Sequence, residues 1–210
     1  MPFAYSYFIS YCHGQEALTT FVEQLQKALD DELSMHFDYD SYLDTQRLLP
    51  GYQHNVTLAR AICSSICMIV VYTPNYERHS YCLREYQAME DIATRRKQLL
   101  GESAVNDFTP IIPVILREEP PAKIKGHIVY CDFSRFSLGT LDIHRNPEYL
   151  PDIRRIARTI YQNYQIFEAS GVDVCHFCPS FTLPSEQAIR PWRERPQRFG
   201  GRFPGREVSS

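Results

Sequence analysis

The strongest constraint on the fold of this chain is a continuous apolar segment at residues 66–72, with the sequence Ile-Cys-Met-Ile-Val-Val-Tyr. It is rich in β-branched residues and contains no charged residue, which predicts a central strand that is covered on both faces. Pro74 ends the strand, because proline cannot donate a hydrogen bond to a sheet. Such a strand needs helices on both sides of its sheet, so the segment indicates an α/β fold.

Alternating strand and helix patterns extend from residue 4 to about residue 167. The predicted strands are residues 5–12, 35–39, 66–72, 109–116 and 128–133, and the predicted helices are residues 16–33, 56–62, a segment beginning at 80, and 149–167. Strands that are separated by helices lie parallel and are joined by right-handed crossovers. We therefore predict a three-layer, doubly wound sheet.

The helix that follows the central strand carries a carboxylate in a notable position. Ser80 can cap this helix. Its predicted buried stripe recurs at offsets of 4, 7 and 11: Cys82, Tyr86, Met89 and Ala93. Glu85 falls at the border of that stripe, where a charge is costly unless it has partners or a function. It also lies near the mouth of a strand, where open α/β sheets bind ligands. The alternative is an ordinary glutamate that the helix dipole favours.

Length and composition limit the classes of protein. The chain has 210 residues, 44% of them hydrophobic, which is enough for one substantial domain with an appendage. Its formal net charge of −3 gives no indication of nucleic-acid binding. The sequence contains neither an apolar stretch of about 18 residues nor a charged-then-apolar leader, so we expect a cytoplasmic protein without a membrane partner.

The seven cysteines are an odd number and are scattered through the predicted elements. This pattern favours buried thiols in a reducing compartment over a framework of disulfides. Cys175 and Cys178 have the spacing of half a zinc site, but a second pair of ligands at similar spacing is missing. We therefore expect no metal.

The character of the chain changes after residue 167. Residues 184–206 contain four prolines, three glycines and six arginines, with little apolar periodicity. Such a segment buries too little surface to offset the entropy of ordering it. The prediction is a domain over residues 1–167 and a flexible or loosely docked Cys/Pro/Arg-rich extension over residues 168–210. Arg84 and residues 95–97 are interpreted as the solvated face and C-terminal end of their helix.

Three motifs occur in register along the chain. They are residues 8–11 (Phe-Ile-Ser-Tyr), residues 47–51 (Arg-Leu-Leu-Pro-Gly), and residues 72–76 (Tyr-Thr-Pro-Asn-Tyr) leading to residues 80–86 (Ser-Tyr-Cys-Leu-Arg-Glu-Tyr). In order and spacing they resemble the Toll/interleukin-1 receptor (TIR) domain family, in its bacterial branch, over roughly residues 4–165. The resemblance implies a flavodoxin-like fold, with five parallel strands flanked by helices and a loop after the second strand.

Many TIR domains cleave the bond between nicotinamide and ribose in NAD, and the resemblance implies that Glu85 is the catalytic glutamate. NAD would be the substrate, and no cofactor is implied. The implied substrate-binding residues come from the first strand, the loop and the start of the helix: Phe8, Ser10, Tyr11, Asp44, Leu48, Leu49, Gly51, Ser80, Tyr81 and Cys82. Tyr81 stands where many family members have tryptophan, and it also offers a flat face for stacking.

The chemistry is consistent with a single carboxylate. Nicotinamide in NAD is already a cationic leaving group, so its departure requires mainly stabilisation of an oxocarbenium-like ribose. Water would then give ADP-ribose, and a second nucleophile of the same molecule would give a cyclic ADP-ribose product. By analogy with Thoeris-type systems, the product would signal to a separate effector protein in antiphage immunity.

Other functions on the same fold are also possible. A non-catalytic TIR adaptor would signal through TIR–TIR self-association, which the enzymatic members also use. A nucleoside deoxyribosyltransferase would use a glutamate against a ribose carbon of a different substrate. A phosphoacceptor receiver domain is excluded, because it needs clustered aspartates at the strand ends, and the first strand here ends in Tyr11-Cys12-His13.

Overall fold

The computed structural model describes residues 3–43, 54–101, 108–126, 130–134, 143 and 146–193. The elements are β1 (Tyr5–Tyr11), α1 (Glu16–Leu33), β2 (Tyr42–Leu43), α2 (His54–Cys63), β3 (Ser65–Tyr72), α3 (Ser80–Leu100), β4 (Ile111–Ile115), α4 (Ala122–Lys125), β5 (Cys131–Asp132), α5 (Leu150–Ser170) and α6 (Arg190–Arg193). The strands form one parallel sheet with the order β2-β1-β3-β4-β5. This is the flavodoxin-like order, so the predicted fold class is confirmed.

The centre of the sheet is β3, the strand that the apolar segment predicts. It pairs with β1 on one side and with β4 on the other. All eight of its residues are buried, because helices cover both faces of the sheet. The prediction of a two-sided central strand is confirmed.

The helices lie in two layers. Helix α1 packs against α5, and α2 packs against α3. On β1, Tyr7 faces α1 and its hydroxyl donates to Asp30 at 2.6 Å, whereas Ser10 faces α3. Since β1 lies between β2 and β3, the direction of winding reverses next to it. This reversal creates a crevice at the carboxyl ends of β1 and β3, where ligands bind in folds of this kind.

The second strand lies later in the chain than predicted. The sequence pattern predicts a strand at residues 35–39, but the strand is formed by Tyr42 and Leu43, which pair with β1. Residues 34–36 form a turn after α1, with Met35 71% exposed. The ring of Phe37 instead contacts Tyr164 of α5 at 5.0 Å. The aromatic residues of this segment therefore cover a helix and do not extend the sheet.

Helix α3 confirms the predicted buried stripe of Cys82, Tyr86, Met89 and Ala93. Its predicted cap is wrong, because Ser80 is the first helical residue and His79 occupies the capping position without a side-chain capping bond.

Arg96, near the C-terminal end of α3, is fully buried. The interpretation of this residue as solvated is therefore wrong. Its guanidinium donates to the carbonyl oxygens of Cys63, Ser65 and Ile66 at 2.7, 3.0 and 3.1 Å. The rings of Phe3 and Phe167 lie over it at 5.0 and 5.4 Å. This cation therefore ties α3 to the turn between α2 and β3.

The region after α5 packs on the rest of the molecule. Gly171 ends the helix in a left-handed conformation (φ 62°), which glycine adopts without strain. Residues 171–193, here called the docked segment, pack on the side of the molecule formed by α2 and α3. In it, the carbonyl of Pro184 accepts a hydrogen bond from Arg84 Nε at 2.6 Å, and Trp192 packs edge-on against Tyr86 at 5.0 Å. The docked segment therefore contacts α3 through Arg84 and Tyr86, and residues 194–210 lie outside the described residues.

A disulfide joins Cys178 of the docked segment to Cys63 at the end of α2, across 115 residues. The expectation that all cysteines are thiols is therefore wrong for this pair. Five other cysteines are buried thiols: Cys12, Cys67, Cys82, Cys131 and Cys175. Burial raises the pKa of the Cys67 thiol to about 12, which keeps it protonated.

None of the helices in the described part of the chain combines the length and apolar character that crossing a membrane would require.

Candidate active site

The candidate active site lies at the crevice where the winding of the sheet reverses. Ser10 is the penultimate residue of β1, Tyr76 begins a 3-10 turn (Tyr76–Arg78) after β3, and Glu85 lies in the second turn of α3. Alternation along β1 directs Ser10 toward α3. The short connection after β3 brings Tyr76 under the start of α3, so three separate segments of the chain meet at one point.

Two hydroxyl groups and one carboxylate form a buried chain of hydrogen bonds. Ser10 Oγ donates to Glu85 Oε2 at 2.6 Å. The hydroxyl of Tyr76 lies 2.8 Å from Ser10 Oγ and 3.1 Å from the carbonyl oxygen of Cys82. All three side chains are fully buried. A buried carboxylate is costly unless hydrogen bonds stabilise its charge, and the Ser10 hydroxyl supplies one.

Tyr76 is held in its neutral form. Burial raises its pKa well above the ordinary value, and the nearby Cys82 and Glu85 side chains raise it further, against a smaller opposing effect of the Ser10 hydrogen bond. A neutral tyrosine keeps its hydrogen and can donate it. The phenol of Tyr76 is therefore a hydrogen-bond donor at neutral pH.

Cys82 connects the C-terminal end of β1 to the first turn of α3. Its thiol donates to the carbonyl oxygen of Tyr11 at 3.5 Å, and its own carbonyl faces Tyr76. Tyr11 was predicted to line the cleft, but alternation along β1 places it on the opposite face of the sheet from Ser10. Its ring packs against His13 at a centroid distance of 4.0 Å. Thus Cys82 and the backbone of Tyr11 border the site, and the Tyr11 ring packs away from it.

The remaining predicted residues lie at different distances from the carboxylate. Phe8 shares the face of Ser10 but lies deeper in the core, stacked on Tyr42 at 5.3 Å. Ser80 is half-buried at the start of α3. Tyr81 is also half-buried, and its hydroxyl donates to Asn55 Oδ1 of α2 at 2.6 Å. Its ring is thus anchored at the rim of the crevice, one helical turn from Glu85.

Four predicted substrate-binding residues belong to the loop after β2: Asp44, Leu48, Leu49 and Gly51. They lie outside the described residues, and their role stays a prediction.

Two concave surfaces occur elsewhere on the described part of the molecule. One, of about 430 Å³, lies between α1 and α5, with Asp31, Met35 and Leu150 in its lining. The other, of about 330 Å³, lies beside the C-terminal half of α3, near Thr94 and Phe108. Glu85 lines neither of them, so size alone would not identify the candidate site.

The motif at residues 72–76 includes Tyr76, but the sequence predicts no role for this residue. Its hydroxyl is as close to Ser10 as a strong hydrogen bond requires, although 66 residues separate them. The available signal was the position of an aromatic residue two places after the proline that ends β3.

Comparison with known proteins agrees with the motifs. The family model described as the TIR domain matches residues 8–142, which is more than half of the chain. The chain belongs to the TIR domain family. The match includes the C-terminal part of β1 and all of β3 and α3, and hence every residue of the hydrogen-bond chain described above.

One similar sequence is that of the TMV resistance protein N of Nicotiana glutinosa, which is 32% identical over 95 residues. The match covers 45% of this chain and 8% of that protein, so the chain spans less than a tenth of the length of this relative. Among solved structures, the TIR domains of the activated Roq1 resistosome, which directly recognises the pathogen effector XopQ, match with a TM-score of 0.39 and 19% identity. That match covers 80% of this chain and 84% of the other.

Proposed function

We propose that this TIR domain is an NAD-cleaving enzyme in which Glu85 is the catalytic residue. The observation that carries the proposal is the buried carboxylate at the crevice beside β1, held by Ser10 at 2.6 Å. A charge placed there without a function would only lower stability. Membership of the TIR family makes NAD the substrate of choice.

In the proposed reaction, the bond between the nicotinamide nitrogen and ribose C1′ breaks, and its electron pair leaves with nicotinamide. The positive charge moves from the nicotinamide ring to the ribose, where the anionic Glu85 stabilises it. Water then bonds to C1′ and loses a proton, which yields ADP-ribose. If a ring nitrogen of the same molecule attacks in place of water, the product is a cyclic ADP-ribose.

Glu85 has no exposed surface in this structure. Catalysis therefore requires that neighbouring side chains expose the carboxylate when substrate binds. Self-association of TIR domains is one source of such a rearrangement, and we propose that it raises the activity. The product would act as a signal for a separate effector protein in immunity.

The test is incubation of the purified protein with NAD, with release of nicotinamide followed by chromatography over a series of protein concentrations. We expect turnover that rises more steeply than in proportion to protein concentration. Replacing Glu85 by Gln or Ala should lower it by at least about 100-fold, the usual effect of removing one charge-stabilising group.

The matched control is Glu90→Gln. Glu90 is also on α3, and burial raises its pKa against the opposing effect of its partner Lys123. It lies outside the hydrogen-bond chain, so this variant should retain wild-type turnover.

Three results would overturn the proposal. Equal turnover by wild type and Glu85→Ala would remove the assigned residue. Release of free base from deoxynucleosides, without cleavage of NAD, would identify the deoxyribosyltransferase alternative. Absence of both activities at every concentration would leave a TIR adaptor that acts by assembly alone.

A further inference from the structure

Beyond the identity of the carboxylate, the structure shows how its charge is supported. We propose that Tyr76 is a positioning residue for Glu85, and that its hydroxyl acts through Ser10 to hold the carboxylate in place in its ionised form. This proposal rests on the proposed function where it is tested by the kinetics of NAD cleavage. A second test, by NMR of the Glu85 carboxyl group, requires only the geometry.

The hydrogens available on the two hydroxyl groups determine the direction of each hydrogen bond. A serine hydroxyl has one hydrogen, and Ser10 uses it in the 2.6 Å bond to Glu85. The 2.8 Å contact between Ser10 and Tyr76 can then be a hydrogen bond only if Tyr76 donates. The direction of donation is therefore Tyr76 to Ser10 to Glu85 when the carboxylate is ionised.

The tyrosine has a second acceptor within reach, the Cys82 carbonyl at 3.1 Å. If Glu85 carries a proton, the chain reverses: Glu85 donates to Ser10, Ser10 to Tyr76, and Tyr76 to the carbonyl. Tyr76 thus donates its single hydrogen to Ser10 when Glu85 is ionised and to the Cys82 carbonyl when Glu85 is protonated. Because a hydroxyl that accepts a hydrogen bond becomes a better donor, Tyr76 strengthens the bond between Ser10 and ionised Glu85.

The titratable groups that the described residues place around this chain come from two elements, the turn after β3 and α3. Tyr76 belongs to the turn after β3, and Cys82 and Tyr86 belong to α3, as does Glu85 itself. Ser10 on β1 contributes a neutral hydroxyl. Arg84 directs its Nε to the docked segment, and Arg96 lies about 16 Å away along the helix axis. Within the described contacts, the Ser10 hydroxyl donates to Glu85 and the Tyr76 hydroxyl contacts Ser10 in turn.

The test is the pH dependence of kcat/KM for NAD cleavage in Tyr76→Phe, which keeps the ring and removes the hydroxyl. Weaker stabilisation of the charged form moves the acid limb of the profile to higher pH. We expect a shift of about half a pH unit for Tyr76→Phe and about 1 to 2 units for Ser10→Ala, since a hydrogen bond to a charged group contributes the larger effect. KM should change little in comparison with kcat.

Tyr72→Phe is the matched control. Tyr72 ends β3, and its hydroxyl donates to Glu77 at 2.6 Å, outside the chain. This variant should leave the profile unmoved. The double variant Ser10→Ala with Tyr76→Phe should show the shift of Ser10→Ala alone, because Tyr76 acts through Ser10.

A profile of Tyr76→Phe that coincides with that of Tyr72→Phe would overturn the proposal, as would shifts that add in the double variant. If Tyr76→Phe does not fold, 3-fluorotyrosine at position 76 replaces it. Fluorination makes the phenol a stronger donor, so the acid limb should move to lower pH, and an unmoved limb would overturn the proposal.

If the wild-type protein cleaves no NAD, the proposed function fails and the inference is tested without turnover. The side-chain carboxyl of Glu85 is followed by ¹³C NMR during a pH titration, with its signal assigned by its absence in Glu85→Gln. The titration midpoint should move upward in Tyr76→Phe and not in Tyr72→Phe. A midpoint that is the same in all three folded proteins would overturn the inference.

Discussion

Helix α3 buries one charged side chain near each end, and the two ends differ in what surrounds the charge. Arg96 donates to three backbone carbonyl oxygens and lies under two aromatic rings. Glu85 accepts a hydrogen bond from a serine hydroxyl that a tyrosine supports, at the crevice of the sheet. The cation is embedded in fixed backbone and anchors the fold, whereas the carboxylate depends on side-chain hydroxyls where a ligand would bind.

The comparison predicts opposite effects of neutralising the two charges. Burial lowers the pKa of Arg96, yet its removal leaves buried carbonyl groups without their donor. Removal of the charge of Glu85 relieves a desolvation cost instead. Sites that serve function often reduce stability in this way.

The largest expected effect is that of Arg96→Met, which should lower the free energy of unfolding by about 3–5 kcal/mol, because several buried carbonyls lose their partner. Urea unfolding measures it. The control is Arg95→Met: Arg95 is exposed, with its guanidinium near the rings of Phe177 and Phe181, and its loss should cost less than about 1 kcal/mol. Equal losses in both variants would show that Arg96 is not the anchor.

The next effect concerns the disulfide beside the Arg96 end. Cys178→Ser should lower the free energy of unfolding by about 2–4 kcal/mol, since the bond between Cys63 and Cys178 closes a loop of more than a hundred residues. Dithiothreitol should destabilise the wild-type protein by the same amount and leave Cys178→Ser unaffected. A wild-type midpoint that does not respond to the reductant would contradict the prediction.

A smaller loss of stability is expected where the docked segment packs on α3 beside Glu85. Trp192 packs on Tyr86, and the ammonium of Lys123 lies 4.6 Å from its ring. Trp192→Ala should cost about 2 kcal/mol, less than in a domain core, because the docked segment can shift to fill the space that the ring leaves. Limited trypsin digestion should then cut the docked segment faster, whereas Trp192→Phe should resist it nearly as wild type does. Unchanged digestion of Trp192→Ala would mean that other contacts hold the segment.

The smallest expected change has the opposite sign. Glu85→Gln should raise the free energy of unfolding by about 1 kcal/mol near neutral pH, because an uncharged amide is easier to bury. Thermal and urea unfolding measure the gain, alongside the loss of NAD cleavage. A destabilisation as large as that of Arg96→Met would remove the contrast between the two ends and make Glu85 a structural residue.

The sequence by itself determined the parts of the fold that local patterns encode. The continuous apolar segment specified β3, and the spacing of apolar residues specified α1 at residues 16–33 and the buried stripe of α3. These predictions succeeded because the period of burial along a strand or helix is a property of neighbouring residues. Motif resemblance, which is also read along the chain, singled out Glu85 and Ser10.

Tertiary structure alone decided which distant residues meet. The bond between Ser10 and Glu85 spans 75 residues, and the disulfide spans 115. The second strand formed at Tyr42 and Leu43 because the aromatic residues before it pack on α5. Arg96 is buried because carbonyl groups from other elements converge on it, and a pattern of apolar residues contains no signal for such a partner. For the same reason, the support of Glu85 by Tyr76 becomes visible only once three segments of the chain are brought together.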